Sequence, residues 1–361
     1  MLRVVIAGGG TGGHLYPGIA VARELIARRP DAQVSFAGTA QGIEARVLPR
    51  EGFELDTIRS GGLKGKSIGE RARGVRLLPL GLVDAARILA ARRPALVIGV
   101  GGYSSGPVVL IAALRGIPTM LLEQNAVPGL TNRLLSRVVR AAAVTYDSTR
   151  EFFGEKAFVS GNPVRPEFLA VGVTGAAAGA AGAPTNVLVF GGSQGAHGIN
   201  VAMTEAAPLL AAARNGFSLV HQTGERDVEL VRTAYQRAGL RAEVEPFLYD
   251  MGRRLQAADL VVCRAGATTL AELAAAGRPA VLIPLPTATD DHQRKNAEAW
   301  GGIGAAEVLL QADATGARLA SLITSLAGDA ERRRRMAAAA RSLARPEAAT
   351  VIVDRALALA G

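Results

Sequence analysis

The chain has 361 residues, 49% apolar and 20% charged, which suits two domains of ordinary size with sizeable cores and excludes a disordered chain. A single cysteine, Cys263, excludes an intramolecular disulfide framework and a multi-cysteine metal site, and four histidines give no His-rich cluster, so no metal is expected. The net charge of +10 is one-sided: residues 1–163 carry 21 Lys and Arg against 12 Asp and Glu, residues 164–361 carry 20 against 19, and such a surface attracts polyanions.

The N-terminus reads MLRVVIAGGGTGG, an apolar run too short for the core of a signal peptide, so a cytoplasmic protein is expected. Leu2–Ala7 predicts a buried strand, Gly8–Gly13 a glycine turn, and Pro17–Arg28 a helix. Gln33–Ala37 predicts the next strand. Residues 59–93 then hold nine basic and two acidic residues. They combine Lys64, Lys66, Arg71, Arg73 and Arg76 with Leu77, Leu78, Leu80, Leu82, Val83 and Ile88. This stretch reads either as a long helix that packs its leucines into a core, or as a basic and apolar surface for an anionic membrane. Asp84 and Arg87 interrupt it, so it would lie on a bilayer and not cross one.

Leu96–Val100 is another buried strand. Ala95–Leu114 runs twenty residues without a charge, long enough to span a bilayer. GGYSSGP (101–107) in its middle fits a strand-to-helix turn instead. Thr119–Leu122 follows as a strand. SGNPVRPEF (160–168) reads as a connection between domains, and the charge-free VGVTGAAAGAAGAPT (171–185) as a surface loop. The alternation restarts with Asn186–Phe190, continues through Val261–Cys263 and Ala280–Ile283, and gives way to helices after Ala312. GGGTGGH (8–14) and GGSQGAH (191–197) align position for position. The expected fold is α/β: two doubly wound, Rossmann-like parallel-sheet domains facing a cleft.

Glycine loops that open helices let backbone N–H groups approach an anion, and the helix N-terminus adds partial positive charge. Taken singly, each loop also fits a turn that merely needs positive φ. Three at equivalent places, Gly8–Gly13, Gly101–Gly106 and Gly191–Gly195, favour phosphate or diphosphate binding. The first satisfies GxGxxG through Gly8, Gly10 and Gly13. However, the next strand ends Phe36-Ala37-Gly38-Thr39 without the acid that holds a dinucleotide ribose, so no NAD is expected. No GxxxxGK[ST] occurs.

Glu272, in GATTLAEL (266–273), falls in the second turn of a helix after the strand DLVVC. It fits a solvated helix glutamate or a ribose contact. His14 closes the first loop; it fits a structural histidine or a general base, since an imidazole with pKa ~6.5 accepts a proton at neutral pH. His197 is its counterpart in the second domain. Cys263 reads as a small buried hydrophobe. Asp290 and Asp291 lack the spacing of a metal-binding pair, which leaves Arg165, helix N-termini and hydroxyls to neutralise a diphosphate leaving group.

Six segments in order resemble one family: GGTGGHLYPG (9–18), GGYSSGP (101–107), EQNAVPGLTN (123–132), GNPVR (161–165), GGSQGA (191–196) and GATTLAEL (266–273). They are similar to the MurG family, the peptidoglycan N-acetylglucosaminyltransferases of glycosyltransferase family 28, across nearly the whole chain. The resemblance implies a GT-B fold and an inverting, cofactor-free transfer from UDP-N-acetylglucosamine to lipid I (undecaprenyl-diphosphoryl-MurNAc-pentapeptide), making a β(1→4) link. It implies an acceptor and membrane-docking domain at 1–163, completed by 346–361, and a donor domain at 164–345. The implied location is the cytoplasmic face of the membrane, with other cell-wall enzymes as partners.

Residue by residue, the resemblance places Thr11, Gly12 and Gly13 near the donor sugar and acceptor diphosphate. It adds Tyr103 and Ser104 to the substrate contacts and Asn125 to the sugar. Arg165 and Ser193 hold the donor phosphates, and the Leu248 backbone meets uracil. Ala267, Thr268, Thr269, Leu270, Ala271 and Glu272 wrap diphosphate and sugar, with Glu272 on the ribose. Gln293, with His292 beside it, reaches the sugar hydroxyls. His14 is the implied base, with Glu123 in support. The chain departs from the family pattern in PLPTATDDHQRKNA, one residue longer and with His292 where Gln is common, and at Ala265, where Ser is common.

Two rival classes remain at this level: a UDP-sugar 2-epimerase or another GT-B lipid glycosyltransferase, and a nucleic-acid-binding protein. Only 4% of residues are aromatic and no nucleic-acid motif is legible, so no nucleic-acid partner is expected.

Overall fold

The computed structural model describes residues 1–61, 68–169, 184–192, 194–213 and 216–361, with side chains at all of these except 68–76, 166 and 289. The chain divides into two compact units, Met1–Arg165 with Arg345–Gly361, and Pro166–Ala344. The Gly/Ala stretch expected as a surface loop lies almost wholly outside the described residues.

Unit 1 runs β1 (Arg3–Gly8), α1 (Gly12–Arg28), β2 (Gln33–Gly38), α2 (Glu44–Val47), β3 (Glu54–Thr57), α3 (Ile68–Arg92), β4 (Leu96–Gly101), α4 (Ser105–Leu114), β5 (Thr119–Glu123), α5 (Leu130–Leu135), β6 (Ala141–Val144) and β7 (Ala157–Val159). Its seven strands are parallel, in the order β3-β2-β1-β4-β5-β6-β7. Parallel strands are covered on both faces, so they read as continuous apolar runs. VVIA in β1 and LVIGV in β4 are such runs, and both are wholly buried. Leu15, Ile19 and Leu25 of α1 cover one face; Ala85, Leu89, Val108, Val109 and Ala112 of α3 and α4 cover the other. Ala95–Leu114, uncharged throughout, is β4, a turn and α4. Among the described residues no helix is long and apolar enough to cross a membrane.

Unit 2 runs α6 (Pro166–Leu169), β8 (Thr185–Phe190), α7 (His197–Ala211), β9 (Phe217–Gln222), α8 (Val228–Ala238), β10 (Ala242–Glu245), α9 (Met251–Ala257), β11 (Leu260–Cys263), α10 (Ala267–Ala276), β12 (Ala280–Leu282), α11 (His292–Gly302), β13 (Ala306–Val308), α12 (Gly316–Gly328) and α13 (Ala330–Ser342). The parallel order is β10-β9-β8-β11-β12-β13. Helices α7, α8 and α12 cover one face; α9, α10 and α11 cover the other. The chain then returns to unit 1 as α14 (Ala348–Ala360), which buries Ile352, Val353 and Ala356 beside α1. Thr350 Oγ1 donates to Glu24 across this contact, 3.1 Å, and Arg28 pairs with Asp354.

Unit 2 also buries a polar chain. Asn200 Nδ2 donates to the Thr223 carbonyl and to Asp227, so its Oδ1 accepts from His221 Nε2 at 3.0 Å. His221 Nδ1 must then accept from the Tyr235 hydroxyl at 2.7 Å. Burial pushes the His221 imidazole down to about 3 and the Tyr235 phenol up. The folded ring stays neutral where the unfolded ring, with pKa ~6.5, takes up a proton. Stability from this site is therefore complete above pH ~6.5 and falls by up to about 1.4 kcal/mol per pH unit below it. Urea unfolding between pH 7.5 and 5 should show that slope, and His221→Gln should flatten it; an identical slope in the variant would exclude His221 as its source.

Candidate active site

In both units the strand order reverses at one place, between β1 and β4 in unit 1 and between β8 and β11 in unit 2. Helices leave such a pair toward opposite faces, so a crevice opens past the carboxyl ends of the two strands, where doubly wound folds take their ligands. Every glycine loop singled out in the sequence follows one of these four strands.

In unit 1 the loops after β1 and β4 meet backbone to backbone. Gly8 pairs with Gly101, and Gly9 donates its N–H to the Gly101 carbonyl at 3.4 Å. A Cβ at Gly8 would lie 2.3 Å from the Gly101 oxygen, and one at Gly102 would lie 2.6 Å from the Gly9 oxygen, so both positions must be glycine. Thr11, in extended conformation, precedes the first helical residue Gly12, and α1 starts a turn earlier than Pro17.

His14 is half-buried, and its ring lies against Gly101, where a Cβ would be 2.8 Å from Nδ1. Gln124 fixes this ring. Its Nε2 donates to the Val100 carbonyl at 3.0 Å, so its Oε1 must be the atom facing His14 Nδ1, at 3.2 Å. Nδ1 therefore carries the proton, and Nε2 is the acceptor of the neutral ring. Next along the chain, Glu123 is buried and saturated. One oxygen accepts from the N–H and Nδ2 of Asn125, at 3.0 and 3.2 Å; the other accepts from the Gly129 N–H and Asn132 Nδ2, at 3.0 and 2.9 Å. Burial pushes its carboxyl up despite these bonds. Tyr103 is half-buried and Ser104 buried at the start of α4, beside Ser105, whose Oγ donates to the Gly102 carbonyl at 3.0 Å. Arg165, the last residue of this part of unit 1, stacks over the Tyr16 ring at 5.1 Å.

In unit 2, Gly191–Gly195 follows β8. Gly192 and Gly195 have positive φ, and a Cβ at Gly195 would lie 1.8 Å from the Thr223 carbonyl oxygen. Ser193 lies outside the described residues. His197, first residue of α7, bonds through Nδ1 to Asp227 at 2.9 Å. Burial works to raise Asp227, but hydrogen bonds from Asn200 and His197 outweigh it and hold the carboxyl below its usual range.

Across the switch point, Ala267–Glu272 form the first turns of α10. Ala267, Leu270 and Glu272 are buried, while Thr268, Thr269 and Ala271 are half-exposed. Glu272 is therefore not the solvated glutamate that the sequence also allowed. Arg264 donates to the carbonyls of Ile283 and Pro284, at 3.0 and 3.2 Å, and to Gln311 Oε1, at 2.6 Å. Burial pushes this guanidinium down to about 10, which leaves it charged at neutral pH.

The Leu248 side chain packs into the core, so its backbone is what a ligand can meet; Phe247 and Tyr249 flank it on the surface. Gln293 Oε1 accepts from the Leu285 N–H at 3.0 Å, which turns its amide nitrogen away from that loop, and His292 beside it is half-buried. The two residues before them, Asp290 and Asp291, have φ of 57° and 54°, a conformation that costs an L-residue roughly 1–2 kcal/mol and that Asp tolerates better than most. Among the described residues no group of three or more His, Cys, Asp or Glu is placed to hold a metal ion. Gln124, Asp227 and Arg264 were invisible as site supports in the sequence, because each acts through a partner distant in the chain.

Two family models match this chain, the glycosyltransferase family 28 N-terminal domain over residues 4–144 and the glycosyltransferase family 28 C-terminal domain over 186–352. With the two doubly wound units they define the class: glycosyltransferases of family 28, with the GT-B fold. A UDP-N-acetylglucosamine–N-acetylmuramyl-(pentapeptide) pyrophosphoryl-undecaprenol N-acetylglucosamine transferase of Myxococcus xanthus is 47% identical over 355 residues, 98% of this chain and 92% of that one. The crystal structure of MurG from Acinetobacter baumannii superposes with a TM-score of 0.81 at 33% identity, covering 99% of this chain and 100% of that one. The chain belongs to this transferase family. A UDP-GlcNAc 2-epimerase from Neisseria meningitidis, 14% identical with a TM-score of 0.67 over 99% of this chain and 100% of that one, shares the fold alone.

Proposed function

We propose that this chain transfers N-acetylglucosamine from UDP-N-acetylglucosamine to the muramyl 4-hydroxyl of undecaprenyl-diphosphoryl-MurNAc-pentapeptide, with inversion. The observation that carries the reading is the pairing of each sheet's switch point with a different chemistry. A histidine of fixed tautomer stands at one, and a buried glutamate in the second turn of a helix that a glycine opens stands at the other. Unit 1 takes the acceptor and unit 2 the donor. Glu272 accepts from the ribose hydroxyls, the Leu248 backbone meets the uracil, and Gln293 offers its amide to the sugar.

The acceptor O4 attacks the anomeric carbon as the bond from that carbon to the diphosphate breaks, and the electron pair leaves with UDP. His14 Nε2 takes the O4 proton. Arg165, Ser193 and the first turns of α7 and α10 stabilise the charge that grows on the diphosphate. Glu123, held by four N–H groups, braces the loop that carries Asn125. UDP release should require both substrates. Release of N-acetylmannosamine from UDP-N-acetylglucosamine without acceptor would favour the epimerase reading instead.

The acceptor's prenyl chain stays in the bilayer, so we assign a docking face at the cytoplasmic surface of the membrane to unit 1. Supporting it, α3 exposes Leu78, Leu80 and Val83, at 42, 40 and 45%. Leu77 and Leu82 are half-buried, and Ile88 packs on the core, so the expected apolar surface is narrower than the sequence suggested. Arg59 is neutralised by Asp84, and Arg92 by Asp56 and Glu54. Lys64 and Lys66 lie outside the described residues, as do the side chains of Arg71, Arg73 and Arg76. Basic residues near an anionic surface contribute about 1 kcal/mol each. Replacing those five by Ser should weaken binding to vesicles containing phosphatidylglycerol and leave UDP affinity unchanged; unchanged vesicle binding would remove this face from docking.

A further inference from the structure

The first glycine loop is filled from inside the protein. Glu44, first residue of α2, is completely buried under it. One carboxylate oxygen accepts the Gly10 N–H at 2.8 Å. The other accepts both the N–H and the hydroxyl of Thr39, each at 2.8 Å. The pocket for this carboxylate exists because three neighbours lack side chains. A Cβ at Gly9 or Gly42 would lie 2.6 or 2.1 Å from it, and one at Gly38 would lie 2.8 Å from the Glu44 Cγ. Gly9 and Gly10 both have positive φ, and the residues that follow are Thr11, Gly12, Gly13 and His14.

Unit 2 does this differently. The acid that precedes α8, Asp227, stands where Glu44 stands in unit 1, past the strand next to the glycine-loop strand. Among the described residues it binds the side chains of His197 and Asn200 and no loop N–H. A nest of backbone N–H groups that keeps its donors suits an anionic ligand. A loop whose Gly10 donor already holds an internal carboxylate is instead a shaped wall that sets where the next residues stand.

We propose that Glu44 is a positioning residue of the acceptor site: its bond to Gly10 fixes the turn that places Thr11–His14 against the acceptor. This rests on the transferase reading above. The chemistry of the carboxylate makes the test specific. In Glu44→Gln the single amide oxygen cannot serve the backbone N–H groups of both Gly10 and Thr39, and the amide nitrogen faces whichever is left, so the bridge between the two loops breaks in either orientation of the amide. The variant thus breaks the tie between Thr39 and Gly10 and keeps the side-chain volume. Thr39→Val does the reverse: it removes one bond to the same carboxylate and leaves Gly10 held.

Two measurements read the outcome. Hydrogen exchange over residues 8–14 should accelerate about tenfold or more in Glu44→Gln and stay unchanged in Thr39→Val. In steady-state transfer, Glu44→Gln should raise KM for a short-chain lipid I analogue about tenfold and leave KM for UDP-N-acetylglucosamine unchanged. Thr39→Val should alter neither. Unchanged exchange in Glu44→Gln, a parallel rise in both KM values, or the same pattern in Thr39→Val at equal thermal stability would overturn the assignment. The exchange measurement needs no substrate, so failure of the unmodified chain to transfer sugar would sink the transferase reading and leave the Glu44–Gly10 bond tested on its own.

Discussion

His14→Ala is expected to lower turnover about 10²–10⁴-fold, the usual cost of losing a general base, with little change in KM for UDP-N-acetylglucosamine. The size follows from how the ring is held. The Val100 carbonyl orients Gln124, Gln124 fixes Nδ1 as the donor, and the acceptor nitrogen is thereby assigned before substrate arrives. Gln124→Glu gives a second handle: a carboxylate on Nδ1 favours the imidazolium and should shift the acidic limb of the kcat profile to higher pH. Single-turnover rates with saturating donor report the chemical step directly. Near-normal turnover in His14→Ala would remove the histidine from proton transfer and move attention to Glu123.

Glu272→Ala is expected to raise KM for the donor about 10- to 150-fold, the loss of a charged acceptor for two ribose hydroxyls worth roughly 1.5–3 kcal/mol. Glu272→Gln keeps the volume of this buried side chain and one acceptor oxygen, so its effect should be smaller. Calorimetric titration with UDP alone isolates the contact from catalysis, and KM for the acceptor should hold. Equal UDP affinity in Glu272→Ala and the unmodified chain would take Glu272 off the ribose.

The fold was legible where burial imposes a simple pattern. β1 and β4 are covered on both faces, so each is an apolar run ending in glycine, and each boundary fell within a residue or two of expectation. Other strands hid for physical reasons. β3 is the edge strand ELDT, polar except for Leu55, and β6 is AAAV, whose alanines carry little strand preference. β9, FSLVHQ, places His221 and Gln222 in the interior, which composition alone does not suggest. Its partners Asn200 and Tyr235 lie on two different helices.

The site shows the same division. Glycine loops, His14 and Glu272 are marked by local sequence, because turn geometry and helix starts leave local signatures. The groups that hold them are not. Gln124 lies 110 residues from His14, and Glu44 lies 34 from Gly10. A dinucleotide-binding fold needs a ribose-binding acid at the end of β2, and none closes that strand. The acid that does occur there, Glu44, turns inward to the loop instead.

The central claim is transfer to the muramyl 4-hydroxyl, and product analysis tests it most directly. Incubating the chain with UDP-[14C]N-acetylglucosamine and a short-chain lipid I analogue should move label into the lipid fraction in proportion to UDP released. Mild acid should then free a disaccharide that NMR identifies as β(1→4)-linked N-acetylglucosaminyl-MurNAc-pentapeptide. Label that stays in the aqueous phase, or an α-linked product, would contradict the account.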